Sequence, residues 1–210
     1  MIRKKILIRL NEFHFLNPKW DYTIDDYPII LSNDDLILNK KVIIPIIHKV
    51  KHPEDYIACF YIDDFQFERF WNNPRRYLKF LSSYYAVIGS DFSIYTNTSL
   101  PVKLYNLYRN VVLTRLWQDE GINVIPNLSW PIGQLSSIYT DPYCKAKTVC
   151  ISNIGLNKEE KYTFYKELHE IDKHLNFNHY IIYGTFDNNE INYLLLEKTT
   201  HIKQYINARK

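Results

Sequence analysis

The chain has 210 residues, 46% of them hydrophobic, and its 26 basic and 23 acidic side chains leave a net charge of +3. That length suits a single domain that buries its own core without staples, and so small a charge excludes nucleic-acid binding by bulk charge alone. No window reaches the ~18 apolar residues of a membrane span and no secretory pattern stands at the start, so a soluble protein without a membrane partner is expected.

Residues 6–10 read as a short strand, and 17–39 as a polar, turn-rich stretch with Pro18, Pro28 and two Asp-Asp pairs. Strands are expected over 42–47, despite Pro45, and over 57–62, which ends at Asp63-Asp64. A short helix is expected over 65–71, and Asn73-Pro74 reads as an N-cap and first residue opening a helix to about residue 84. After a strand over 86–89, Pro101 opens the clearest helix. Leu104, Leu107, Tyr108, Val111 and Leu116 recur on one face of it, Asn106, Arg109, Asn110 and Asp119 stand on the other, and Gly121 is its stop. A strand over 122–126 precedes an aperiodic stretch, 131–147, long enough to suggest a functional loop. A strand over 148–151 follows. Asn157 and Glu160 then form a capping-box pattern before a helix with Phe164, Leu168, Ile171 and Leu175 on one face. A strand over 179–183 and a last helix over 191–207 complete the order.

Alternating strands and helices make an α/β domain with a mostly parallel sheet and flanking helices. The chain is short for an eightfold barrel, which runs to ~250 residues. Because every late strand ends in a polar cluster, a reduced barrel-like sheet is expected, with an open doubly wound sheet as the alternative. In either form ligands sit beyond the carboxyl ends of the strands.

The three cysteines, Cys59, Cys144 and Cys150, show no metal-ligand spacing, and the first and last lie in apolar runs as small core residues, which fits a reducing cytosol. The seven histidines are scattered, so no metal is assigned. The five glycines form neither a dinucleotide fingerprint nor a phosphate loop, so the cofactor stays open. The 16% aromatic content reflects either AT-rich codons or an aromatic-lined site that stacks bases or sugars.

The stretch from Phe60 to Gly184 resembles a family carried by bacteriophages and other bacterial mobile elements, a domain of unknown function. The resemblance runs through Phe60-Tyr61-Ile62-Asp63-Asp64-Phe65, Phe67-Glu68-Arg69, Trp71 and Pro74, then Asp91-Phe92-Ser93-Ile94-Tyr95, Pro101, Asn106 and Tyr108. It continues through Gln118, Gly121, Val124-Ile125-Pro126 and Trp130 to Ile151-Ser152, Gly155 and Tyr183-Gly184. Ser90 stands where the family usually has proline, and the helix at Tyr162-Thr163-Phe164 lacks an expected glycine. It covers about residues 55–186, so residues 1–54 read as an N-terminal addition to one domain spanning 1–210. The resemblance implies a phage or mobile-element accessory protein of a bacterial host cytoplasm and assigns no residue a role.

Candidate chemistry gathers at the strand ends. Asp91 and Asp63 are the candidate acid–base residues, and Asp91 and Ser93 alternatively serve as loop caps. Asn127, Ser129, Ser152 and Asn153 are candidate ligand-binding residues, with Trp130 to stack on a planar ring. In the Asp63-Asp64 pair, with Glu68 and Arg69 nearby, one acid alternatively holds an arginine. Arg115 and Gln118 share a helix face, either to reach a phosphate or base or as a solvated or sheet-bridging pair. Arg69, Arg75, Arg76 and Lys79, interleaved with Trp71, Tyr77 and Phe80, read either as a single-stranded nucleic-acid surface or as a solvated helix face. The leading function is an enzyme or binding domain for a nucleotide, base or nucleic acid at the rim of the sheet. The alternative is a non-enzymatic protein that binds and redirects a host factor.

Overall fold

Short runs of β-branched and aromatic residues make the strands, and hydrogen bonding orders them almost as the chain does. In the computed structural model, which describes residues 16–33, 41–184, 198–200 and 203–204, β1 (Val42–Pro45), β2 (Tyr56–Cys59), β3 (Ala86–Ile88) and β4 (Val124–Ile125) are parallel neighbours. β5 (Thr148–Ser152) pairs in parallel with β6 (His179–Tyr183), Cys150 opposite Ile181. The outer edges are covered by β7 (Thr199–Thr200) on β6 and β8 (Lys203–Gln204) on β1. A parallel bridge between Asn127 and Cys150 joins the two sheets, with Cys150 N donating to Pro126 O at 2.8 Å and Leu128 N to Cys150 O at 2.9 Å.

The expected α/β class is what the chain forms. Strand order distinguishes the two architectures, because a doubly wound sheet reverses its order at a switch point. Here β1 to β6 follow one another without reversal, and Ile43, Ile57, Ile88, Ile125, Cys150 and Ile181 meet in one buried cluster on the inner face. The sheet is therefore curled, but it is not a closed barrel. β4 and β5 share a single bridge, and among the described residues β7 and β8 lie in separate sheets.

The helices pack on the outer face, onto the alternate residues of each strand. α1 (Asp64–Asn72), α2 (Leu78–Leu81) and the first half of the sheet share a core around Phe60, whose ring lies 5.3 Å from Phe67, 5.1 Å from Phe70 and 5.4 Å from Trp117. Much of the aromatic content is spent here. α4 (Lys158–Leu175) covers β5 and β6 through Phe164, Leu168 and Ile171, as its spacing predicts. Its capping box is formed: Asn157 Oδ1 accepts from Glu159 N and Glu160 N, and Glu160 Oε2 accepts from Asn157 N. α3 (Leu100–Asp119) lies between the two cores, Leu107 and Val111 in one and Leu113 and Trp117 in the other. That position buries its polar side as well as its apolar one.

Three expectations change, and the turn-rich stretch at the start, turn-rich as expected where it is described, acquires a packing role. The helix after Pro74 is a 3-10 turn, Pro74–Tyr77, followed by the single turn of α2. It stops early because the Ser82 and Ser83 hydroxyls donate to the carbonyls of Lys79 and Phe80. The 131–147 stretch is not a free loop: Ser137–Tyr139 and Asp141–Tyr143 are 3-10 turns, and Tyr139, Tyr143 and Ala146 sit in the core. The last helix is replaced, where the chain is described, by β7 and β8, because the open edges of β6 and β1 supply backbone partners that helical spacing does not reveal. The remainder of 191–207, the 6–10 strand and 34–39 lie outside the described residues. Finally, residues 16–33 are tied to the body as a strap: Arg115 donates to Ile29 O, Gln118 and Leu31 exchange two hydrogen bonds, and Trp20 donates to Asp119. Arg115 and Gln118 thus bridge to the strap.

Asn33 bridges the starts of β4 and β5, donating to Val124 O and Thr148 O and accepting from Thr148 N. Asn33→Ala strands these partners, so urea unfolding should show a loss of about 1–2 kcal/mol with an unchanged slope. An unchanged midpoint would mean water replaces the carboxamide.

Candidate functional site

A cleft of about 550 Å³ opens beyond the carboxyl ends of β3, β4 and β5, against the first turns of α4. Asp91 and Ser93 come from the turn after β3, Asn127, Ser129 and Trp130 from the segment after β4, and Ser152 from the end of β5. These six sequence candidates line it. Asp63 and Asn153 do not.

The turn after β3 is built by side chains of α3 and α1. Asn110 Oδ1 accepts from Phe92 N at 2.8 Å and Ser90 Oγ at 3.1 Å, while its Nδ2 donates to Phe92 O at 3.0 Å. Asn106 Nδ2 donates to Ser93 O at 2.5 Å. Arg109 lies 3.6 Å from the Phe92 ring centre and donates to Asn106 Oδ1 and both oxygens of Glu68. The acid that holds an arginine is therefore Glu68, and the arginine is Arg109, not its neighbour in sequence. From α1, Asp64 accepts from Ser93 N and Oγ at 3.2 and 2.9 Å. Ser93 is thus a loop cap. Asp63 is exposed and accepts from Gln66 Nε2, so the carboxylate beside the Asp91 turn is Asp64.

These bonds leave Asp91 at the floor of the cleft, half-buried. Asn127 Nδ2 donates to its Oδ1 at 2.8 Å and also to Ser90 O, while Asn127 Oδ1 accepts from Tyr61 Oη at 2.8 Å. Every polar atom of the Asn127 side chain is used, which fixes the direction of its amide. Among the described residues nothing donates to Asp91 Oδ2. Burial pushes the Asp91 carboxyl up to about 6; the Asn127 hydrogen bond opposes this and the nearby Asp64 charge adds to it. Beneath it the Tyr61 and Tyr183 rings stack at 4.4 Å, and the Tyr61 hydroxyl lies 3.2 Å from Cys150 Sγ. Burial raises the thiols of Cys59 and Cys150, so both stay protonated core residues.

The other candidates divide. Trp130 forms wall rather than stacking surface: it is 4% exposed, lies 5.1 Å from the Phe164 ring in parallel and donates Nε1 to Glu167. Glu167 also accepts from Gly133 N and Leu135 N. Asn153 is buried, donates to Tyr165 Oη, and presses against Gly184, where an added Cβ would come within 1.9 Å of its Oδ1. It latches β5 to β6. Arg75 pairs with Glu120, Arg69 lies over the Phe70 and Tyr77 rings, and Arg76 and Lys79 are exposed on the outer helices. The residues that sequence reasoning passed over are Tyr61, Asp64, Tyr95, Thr96 and Glu160. Tyr61, Asp64 and Tyr95 stood in the family motifs and Glu160 was visible as a cap, whereas Thr96 carried no signal. Among the described residues no cluster of three or more His, Cys, Asp or Glu could hold a metal ion, and no described helix is long and apolar enough to cross a membrane.

The chain belongs to the family described as a domain of unknown function (DUF4417), whose model matches residues 31–205. The match begins well before residue 55, where the motifs begin. Over 101 residues the chain is 34% identical to the Gene 1 protein of Mycobacterium phage L5, covering 48% of this chain and 44% of that protein. With the Gene 1 protein of Mycobacterium phage D29 identity is 29% over 101 residues, covering 48% and 37%. The match thus spans less than half the length of these curated relatives. No solved structure matches the chain. At the coarse level these relatives support a phage-associated protein of unknown function.

Raising the Asp91 pKa favours the protonated acid in the fold. The stability this confers is present in full below the ordinary value of 3.8 and is lost as pH rises through about 6. Asp91→Asn keeps an acceptor for Asn127 and removes the charge. Urea unfolding should find it more stable than the parent by about 1–2 kcal/mol near pH 8, the gap closing towards about pH 4. A gap independent of pH would show that Asp91 titrates as it does in water.

Proposed function

We propose that the cleft beyond β3, β4 and β5 binds a nucleotide, base or nucleic-acid ring in the cytoplasm of a bacterial host, and that Asp91 carries its acid–base chemistry. The observation that carries this reading is a half-buried carboxyl, raised towards neutrality, with one unmet oxygen at the floor of a cleft of about 550 Å³. The volume falls within the range of ligand sites and exceeds that of a nucleoside. Hydroxyls of Ser93, Thr96 and Ser152 and the amide of Asn97 line one part, and Ile94, Leu128, Ile132 and Leu156 another. A group with a pKa near 6 both takes up and gives up a proton at cellular pH.

A second reading, a protein that binds a host factor, draws on Phe65, Ile154 and Tyr162, which are 78%, 58% and 73% exposed. The basic helix residues favour neither, since Arg75 and Arg69 already have partners within the fold.

Thermal shift against nucleosides, nucleotides, bases and short single strands, with and without Mg²⁺, separates the two. A ligand at ~100 times its Kd adds about 2.7 kcal/mol and should raise Tm by about 5–11 °C. Asp91→Asn should abolish the rise while remaining folded. No shift with any of these, from a folded protein, would overturn the cleft reading and favour the protein partner.

A further inference from the structure

We infer that the cleft takes its ring compound unphosphorylated, as a neutral or cationic base or nucleoside rather than a nucleotide. This rests on reading the cleft as a small-ligand site and narrows what enters it.

Charge is the first reason. Two lining residues are acids, Asp91 and Glu160, and none is Lys, Arg or His. The cations behind the walls are committed elsewhere. Lys103 is 5% exposed and donates to Thr96 O at 2.7 Å and Gln134 Oε1 at 2.6 Å. Arg109 is held under Phe92 by Glu68 and Asn106. Lys158 and Lys161, on the first turn of α4, are not among the lining residues. A phosphate in the cleft would therefore meet two carboxyls and, among the described residues that line it, no counter-charge.

The second reason is independent. An 18-residue helix that begins beside a cleft is the usual place for a phosphate, because its first amides are unpaired and its dipole favours an anion. In α4 that position is taken by the chain itself. Asn157 Oδ1 accepts from Glu159 N at 2.9 Å and Glu160 N at 3.0 Å, and Glu160 Oε2 accepts from Asn157 N at 2.9 Å. The Glu160 carboxylate occupies the pole of the helix and places its charge on the cleft wall. What remains suits an uncharged ligand: the Ser152 hydroxyl and the Asn97 amide for sugar hydroxyls, the Tyr95 ring, 62% exposed, for a planar base, and Asp91 Oδ2 for an N–H donor.

Isothermal titration at low salt, using adenosine, guanosine, cytidine, uridine and their 5′-monophosphates, tests this. At least one nucleoside should bind, with its monophosphate weaker by about tenfold or more. Glu160→Gln keeps a capping side chain without the charge and should close much of that gap, as should raising the salt. A monophosphate that binds as tightly as its nucleoside would overturn the inference and leave the cleft reading standing. So would a gap that Glu160→Gln and salt both leave unchanged, since charge would then not be the filter. If neither nucleosides nor monophosphates bind the folded protein, the cleft reading fails and the inference with it.

Discussion

One carboxamide on α3 completes the hydrogen bonding of a strand that stops early, and the cleft depends on it. β3 ends at Ile88, Gly89 N still donates to Ile125 O at 2.8 Å, and beyond Gly89 the chain leaves the sheet while still buried. Peptide groups left unmet there would cost more than the turn gains. Asn110, 1% exposed, answers the N–H and C=O of Phe92 and the hydroxyl of Ser90. Once Phe92 is held inward, alternation along the extended chain carries Asp91 to the opposite side, into the cleft. A polar residue in the middle of a helix is usually placed for solvent, and here it substitutes for a missing strand.

The second condition is what lies beneath Asp91. The curled sheet fills its inner face with Ile43, Ile57, Ile88 and Ile181, closed at the carboxyl end by the stacked Tyr61 and Tyr183 rings. This apolar plug removes water from one side of the Asp91 carboxyl, and desolvation is the main cause of its raised pKa. Tyr61 has a further effect through Asn127. Because its hydroxyl donates to Asn127 Oδ1, the Asn127 amide must turn its N–H groups towards Ser90 O and Asp91. The plug raises the pKa and the amide restrains the rise, so the group lies near neutrality instead of being a permanently protonated acid.

Local signals were legible and long-range pairings were not. The capping box at Asn157, the Gly121 stop, and the apolar face of α4 follow from short-range rules and formed as read. The strand ends pointed to Asp91, Asn127 and Ser152 because parallel sheets gather their carboxyl ends on one rim. The partners of these residues were hidden. Nothing in the spacing of Glu68 and Arg109, 41 positions apart, or of Tyr61 and Asn127, 66 apart, says that they touch. Trp130 was misread for a related reason: an aromatic beside a polar cluster looks like a stacking surface until Phe164 of α4, more than thirty residues later, covers it. The pairing of 199–200 and 203–204 with β6 and β1 depends on sheet edges far away in sequence, and helical spacing prevailed in their reading.

The motif residues shared with the family divide by physical task. Asp64, Phe92, Ser93 and Asn106 complete one another's hydrogen bonding or packing around the turn after β3. Gly184, at φ +134°, permits an approach to Asn153 that a side chain would block. These hold the shape of the rim and offer little to a ligand. Asp91 is different: Asn127 donates to one of its oxygens, the other takes no bond within the described protein, and burial shifts its titration. A residue kept for structure alone would be better served there by asparagine, which accepts the same hydrogen bond without the desolvation cost of a charge. The carboxyl therefore carries a cost in stability at neutral pH that asparagine would not, and that cost is what the proposed role of Asp91 in the cleft would offset.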